Sequence, residues 1–185
     1  MRLDASLAFV PVGSPLSLVG GLGVSFASPN TIDLLGTGVG TAPTSIFGQS
    51  AVYGAADAMG VGEKRVEMAV ATGSADFVTG DSATLTIAMQ GAVDTGSGGG
   101  YLPGTWQTFD QSPAMTAAQL TANTVVFRFP WLPPFPFNFR PRFLRMYFVI
   151  PASTQFTTAS IAYALPSLGR DDYSAQNVPK NYTVA

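Results

Sequence analysis

The sequence predicts an all-β protein, a jelly-roll-like β-sandwich with long loops and an extended C-terminal arm. Three observations carry that prediction. Apolar and polar residues alternate at period two in one segment after another, as they do in half-buried strands. Glycine and proline, 20 and 14 of the 185 residues, punctuate those segments at short intervals. Helical periodicity is nearly missing. Roughly eight or nine short strands spaced by turn residues build a sandwich or a barrel. Long excursions between the strands suit a jelly roll better than a tight meander. One domain is expected over residues 1–168, with loop excursions at 36–62, 95–104 and 130–141, followed by an arm over 169–185.

Leu3, Ala5, Leu7 and Phe9 share one face of a first strand. Leu16, Leu18, Leu22, Val24 and Phe26 share a face of a second segment, which Gly20, Gly21 and Gly23 divide by a bulge or turn into two shorter strands. Thr31-Ile32-Asp33-Leu34 is a brief third. From Gly36 to Gly62 the chain is rich in Gly, Ala and Thr with Asp57 as its one charge, which predicts a long irregular excursion. Val66, Met68 and Val70 then alternate with Arg65, Glu67 and Ala69, and Leu85, Ile87 and Met89 with Thr84, Thr86 and Ala88. Both runs predict half-buried strands.

Five glycines between Asp94 and Gly104 require a turn or flexible loop before a strand near Thr105–Phe109. Thr116 and Gln119 stand at capping-box spacing and predict one short helical turn before Leu120. Val125, Phe127 and Phe129 mark a strand that Pro130 ends. The segment Trp131–Pro141 holds four prolines in eleven residues, too many for a ladder or a helix, and reads as an extended polyproline-like loop. Phe143 to Ile150 is a strongly apolar strand containing Arg145. Phe156 to Leu165 is its expected hairpin partner across the turn Pro151–Gln155. From Gly169 onward the chain is polar and aperiodic.

Composition narrows function. The chain has no histidine and no cysteine, and only 11% of its residues are charged. The usual groups for acid–base and nucleophilic chemistry near neutral pH are therefore missing, as are disulfides and Cys/His zinc sites. No cofactor is expected. The net charge of −2, with nine scattered basic residues, offers no phosphate-tracking stripe, so nucleic acid is not an expected partner. No apolar run approaches the roughly 18 to 20 residues that span a bilayer, so neither is a membrane. Met1-Arg2-Leu3-Asp4 lacks the basic and apolar regions of a signal peptide, which predicts a protein made in the cytoplasm. Low surface charge gives little protection against association, so self-binding or partner binding is expected.

Four motifs bear on chemistry. Gly36-Thr-Gly38-Val-Gly40 follows a strand, but Pro43 forbids the helix that a dinucleotide loop needs. Ala92-Val93-Asp94-Thr95-Gly96-Ser97 resembles the active-site loop of aspartic peptidases, which need two such aspartates sharing a proton. One copy is present, so Asp94 would require a symmetric dimer; otherwise it is a solvated turn residue. Asp171-Asp172 is too small a set for calcium. The aromatic Pro-rich loop is the strongest candidate. Trp131, Phe135, Phe137, Phe139 and Phe143, beside Arg128, Arg140, Arg142 and Arg145, match the enrichment of interface cores, with prolines that lower the entropy of docking. The expected interface residues are Trp131, Phe135, Phe137, Phe139, Arg140 and Arg142; the alternative is that the rings cap the protein's own core.

Four segments carry a family resemblance: Arg2-Leu3-Asp4-Ala5-Ser6-Leu7, Ser82-Ala-Thr-Leu-Thr-Ile-Ala-Met-Gln90, Arg142-Phe-Leu-Arg-Met-Tyr147 and Thr158-Ala159-Ser160-Ile161. In strand pattern and spacing, up to about Leu165, they resemble the capsid cement (decoration) proteins of tailed bacteriophages, of the Bbp16 type. The resemblance implies a jelly roll that oligomerises on the outer surface of the virion and clamps neighbouring copies of the major capsid protein, without catalysis. This chain is longer than that type in the 36–62 excursion, the 131–141 loop and the tail, which leaves homodimer and homotrimer both open. Two other classes are weighed beside it: a homodimeric aspartic peptidase using Asp94, and a jelly-roll carbohydrate-binding module of a phage tail.

Overall fold

A computed structural model describes residues 8–33, 66–96, 102–129 and 141–168. Its strands are β1 (Leu16–Ser17), β2 (Phe26–Ala27), β3 (Ile32–Asp33), β4 (Val66–Thr72), β5 (Val78–Thr79), β6 (Thr84–Ala92), β7 (Gln107–Gln111), β8 (Met115–Thr116), β9 (Val125–Phe129), β10 (Phe143–Val149), β11 (Phe156–Thr158) and β12 (Ser160–Leu168). A single 3-10 turn, Ala117–Gln119, is the one helical element among the described residues. It stands where the Thr116/Gln119 spacing predicts it, and the Thr116 amide donates to Gln119 Oε1 at 2.9 Å.

Ten of the twelve strands form two antiparallel sheets. One has the order β1-β12-β4-β9; the other has β10 and β6 at its centre, with β2 and β3 along the free side of β10 and β7 and β8 along the free side of β6. A two-stranded ladder joins β5 and β11. Alternation decides which side chains meet. Leu85, Ile87 and Met89 of β6 and Leu144, Met146 and Phe148 of β10 point to one side, toward Met68 and Val70 of β4 and Ile161 and Ala164 of β12, and all ten lie in a single apolar cluster. The protein is an all-β sandwich around that core.

The strand order is nested. β1 lies beside β12, β2 and β3 beside β10, β4 beside β9 and β6 beside β7, as in one long hairpin doubled back on itself; the hairpin is then rolled so that β12 also meets β4 and β10 also meets β6. Nesting has a geometric consequence. The register pairs Phe143 with both Ala92 and Asp33, Leu168 with Val66 and Met68 with Phe129, so these strand termini share one end of the sandwich. From that end the chain leaves for 34–65, for the loop after Asp94 and for 130–141. Shorter connections close the opposite end, where the Gly23 amide donates to Thr154 O at 2.8 Å and Phe77 meets Phe156 edge-on at 5.2 Å.

Three expectations change. Phe156 to Leu165 is not the hairpin partner of β10: β11 pairs with β5, and β12 with β4 and β1. Period-two alternation reports which face of a strand is apolar but not which strand lies beside it, and here the turn at Pro151 carries the chain across the core to the other sheet. β4 is not half-buried, because Ala69 and Ala71 on its second face are 1% and 3% exposed. Leu22 and Val24 do not share a buried face with Leu18; they are 61% and 42% exposed on the loop that crosses between sheets. Gly23 sits there at φ +68°, and a Cβ on it would lie 2.9 Å from Ala152 Cα.

The broken strands beside β10 and β6 need their ladder continued, since a buried amide without a partner is costly. Buried serines do this. Between β2 and β3, the Ser28 amide donates to Met146 O at 2.8 Å while Ser28 Oγ accepts from the Met146 amide at 3.1 Å. Between β7 and β8, Ser112 does the same for Ile87, at 2.8 and 2.9 Å. In each case a hydroxyl replaces the carbonyl that a straight edge strand would present.

The expected first strand falls mostly outside the described residues, as do the 36–62 excursion, the Gly36–Gly40 motif, Asp171-Asp172 and the 169–185 arm. Its last residues show Phe9 buried and Val10 bridged to Ala164.

Candidate interaction face

Arg142 stands one residue before β10, at the end of the sandwich from which the long excursions leave. Its Nε and Nη2 donate to Asp33 Oδ1 and Oδ2 at 3.0 and 2.8 Å, and its Nη1 donates to Asp94 Oδ2 at 2.7 Å. The fork-to-carboxylate geometry with Asp33 is the strong form of a charged hydrogen bond. The Arg142 amide also donates to Ala92 O at 2.9 Å, and its guanidinium lies 5.3 Å from the Phe143 ring centroid. One cation thus ties the place where the chain departs toward 34–65, the start of the 95–104 loop and the return from 130–141.

Asp94 is held on both oxygens. Its Oδ1 accepts from the amides of Gly96 and Leu102 at 2.9 and 3.1 Å. The Gly96 bond, the largest effect, outweighs the upward push of burial, and with the Leu102 bond and Arg142 it keeps the carboxyl below the usual carboxylate range. That direction is the reverse of what a proton-sharing dyad asks of its neutral member. The loop's stem is tied as well: Asp94 bridges to Pro103, the Thr95 amide donates to Leu102 O at 2.9 Å and the Gly104 amide to Val93 O at 2.8 Å. The two ends of the glycine-rich stretch are therefore tied to each other.

Beside the clamp, on the face of the β10/β6 sheet turned away from the core, lies a second constellation. Arg145 and Tyr147 alternate outward along β10, Gln90 faces Arg145 in register on β6, and Thr108 faces Gln90 on β7. Arg145 Nε donates to Gln90 Oε1 at 2.8 Å, and Gln90 Nε2 donates to Thr108 Oγ1 at 3.1 Å. The Arg145 guanidinium lies 4.2 Å from the ring centroid of Trp106, just ahead of β7, and 5.0 Å from that of Tyr147. Partial burial pushes the pKa of Arg145 down, with Tyr147 opposing the shift. A shallow open depression lined by Thr108, Phe109, Asp110 and Gln111 runs alongside.

Of the six residues expected at an interface, Trp131, Phe135, Phe137, Phe139 and Arg140 lie outside the described residues. Arg142 is 8% exposed and directs its charge at two carboxylates of its own chain, which ties the strand ends around it to one another. Sequence reasoning passed over Trp106, Gln90 and Tyr147. Polar or aromatic residues at outward positions of apolar strands were a usable signal, but only register brings them together. Among the described residues, no group of three or more metal-ligating side chains gathers, and no helix is long and apolar enough to cross a membrane. Neither the protein-family models nor the curated proteins compared with this chain match it.

Proposed function

We propose that this protein is a structural virion component, a capsid cement or decoration protein that sits on the outer surface of a phage head and clamps neighbouring major capsid subunits by binding alone. One observation carries the reading: the long excursions, including the aromatic Pro-rich loop, leave the sandwich at one end, and the Arg142 clamp fixes their departure points. Fixing the points at which segments leave a body lowers the entropy that those segments lose on docking. The low charge and the family resemblance point the same way. The doubled and rolled strand order is read as a jelly roll, whose outer strands are short among the described residues, five residues at most in β7 and β9. Many copies acting together would make shell rupture break many contacts at once. Homodimer and homotrimer both serve this mechanism, and it needs no cofactor.

The test is quantitative protein content of purified virions. A copy number comparable to that of the major capsid protein is expected, together with loss of shell stability in particles lacking the protein. Absence from virions overturns the reading. The carbohydrate-binding alternative is favoured by Trp106, Tyr147 and Gln90 sharing one sheet face, since sugar sites combine ring faces with amides. The peptidase alternative would require Asp94 to give up the Arg142 bond on Oδ2 to share a proton with a second copy.

A further inference from the structure

The outward face of β10 carries a cation whose flat surface and one edge are already engaged. Rings lie against the Arg145 guanidinium at 4.2 and 5.0 Å, and Gln90 Oε1 accepts the hydrogen bond of its Nε–H. Among the described residues nothing accepts from its Nη1 and Nη2 groups, and no carboxylate forms an ion pair with it. The acids whose side chains are described are occupied elsewhere: Asp33 and Asp94 by Arg142, Asp76 by the Ala122 amide, Asp81 by the Gln155 amide and Asp110 by the Gln111 amide. What remains is a planar pair of N–H donors held in one orientation, partly stripped of water and lacking a counter-charge.

We infer that Arg145, oriented by Trp106, Tyr147 and Gln90, is a preformed anchor for a carboxylate side chain, Asp or Glu, presented by a partner protein. Charge complementarity selects an anion, and the paired in-plane donors match the two oxygens of a carboxylate. Rings and a fixed hydrogen bond remove the rotamer entropy that makes exposed arginines weak partners. Tryptophan, tyrosine and arginine together are also the residues that dominate binding energy in interfaces. The inference deepens the proposed function, since the partner there would be a shell subunit, but its test needs no shell.

The probe is acetylated tetraglutamate, with acetylated tetraglutamine and inorganic phosphate as comparisons, titrated into 15N-labelled protein. The readouts are the Arg145 Nε–H and Trp106 indole N–H signals, the latter identified by Trp106→Phe. Tetraglutamate should move both signals at millimolar concentration, tetraglutamine should move neither, and phosphate should bind more weakly. Arg145→Lys keeps the charge but loses the planar fork, and it should weaken tetraglutamate binding by about tenfold or more while leaving the β-type circular dichroism unchanged. Silence toward tetraglutamate, equal response to tetraglutamine, tighter binding of phosphate, or undiminished binding by Arg145→Lys each overturns the anchor. High copy number in virions combined with a silent titration would leave the cement function standing and remove only this anchor. A positive titration with no copies in virions does the reverse.

Discussion

At Arg142 the sequence and the fold give one side chain two different meanings. In sequence it belongs to a basic cluster beside an aromatic loop, the usual look of an interface; in space it is the buried hub between Asp33 and Asp94, 109 and 48 positions away. Asp94 changes meaning with it, from a turn aspartate in a glycine-rich loop to a carboxylate held by an arginine and two amides. No spacing rule joins residues so far apart, and this part of the site was not legible. Removing the cation leaves two carboxylates facing each other without compensation. Arg142→Ala should therefore cost about 2 to 4 kcal/mol in urea unfolding, below the full value for a deeply buried pair because both carboxylates keep some water. Asp94 predicts a pH signature. Its folded-state pKa lies below the ordinary 3.8, so the stability it contributes is complete above that value and disappears as pH falls through the folded one. Asp94→Asn should lower stability at neutral pH and flatten the loss of stability of the wild type below about pH 4. Parallel acid profiles for the two proteins would count against this account.

Among the elements, alternation made β4, β6, β9 and β10 legible, and the capping-box spacing located the 3-10 turn. It could not show how short strands share one long neighbour. Ser28 and Ser112 look in sequence like loop residues, yet each stands at a break in an edge and supplies a hydroxyl where the ladder lacks a carbonyl. Ser112→Ala should orphan the buried Ile87 amide and cost about 1 to 3 kcal/mol, with faster hydrogen exchange at Ile87 than at its neighbours in β6. An unchanged exchange rate there would mean that water replaces the hydroxyl. Gly23 was legible as a divider of strands but not as a point of close approach. Gly23→Ala meets both a positive φ and the Ala152 backbone at 2.9 Å, and should destabilise by more than about 1 kcal/mol, an effect read directly in the thermal midpoint.

For the whole molecule, the all-β class followed from alternation and turn chemistry, whereas the rolled order did not, because β10 and β12, with only the short β11 between them in sequence, lie in different sheets. Register is a property of partners, and one chain read alone has none. The roll nevertheless sharpens the expectation of association, because it separates two candidate ends. At one end leave the long excursions, with Trp131 and Phe135 between Phe129 and Pro141 in sequence; at the other, Leu22 and Val24 stand exposed on the crossing loop. With so little surface charge the protein should be a homo-oligomer at micromolar concentration by sedimentation. If the excursion end is the associating one, Trp131→Ala with Phe135→Ala should weaken assembly by roughly thirtyfold or more, since a central aromatic anchor is worth on the order of 2 kcal/mol. Leu22→Ser with Val24→Ser should leave assembly as it was. The opposite pattern moves the interface to the crossing-loop end, and a double aromatic variant that stays assembled but melts earlier assigns those rings to the protein's own core.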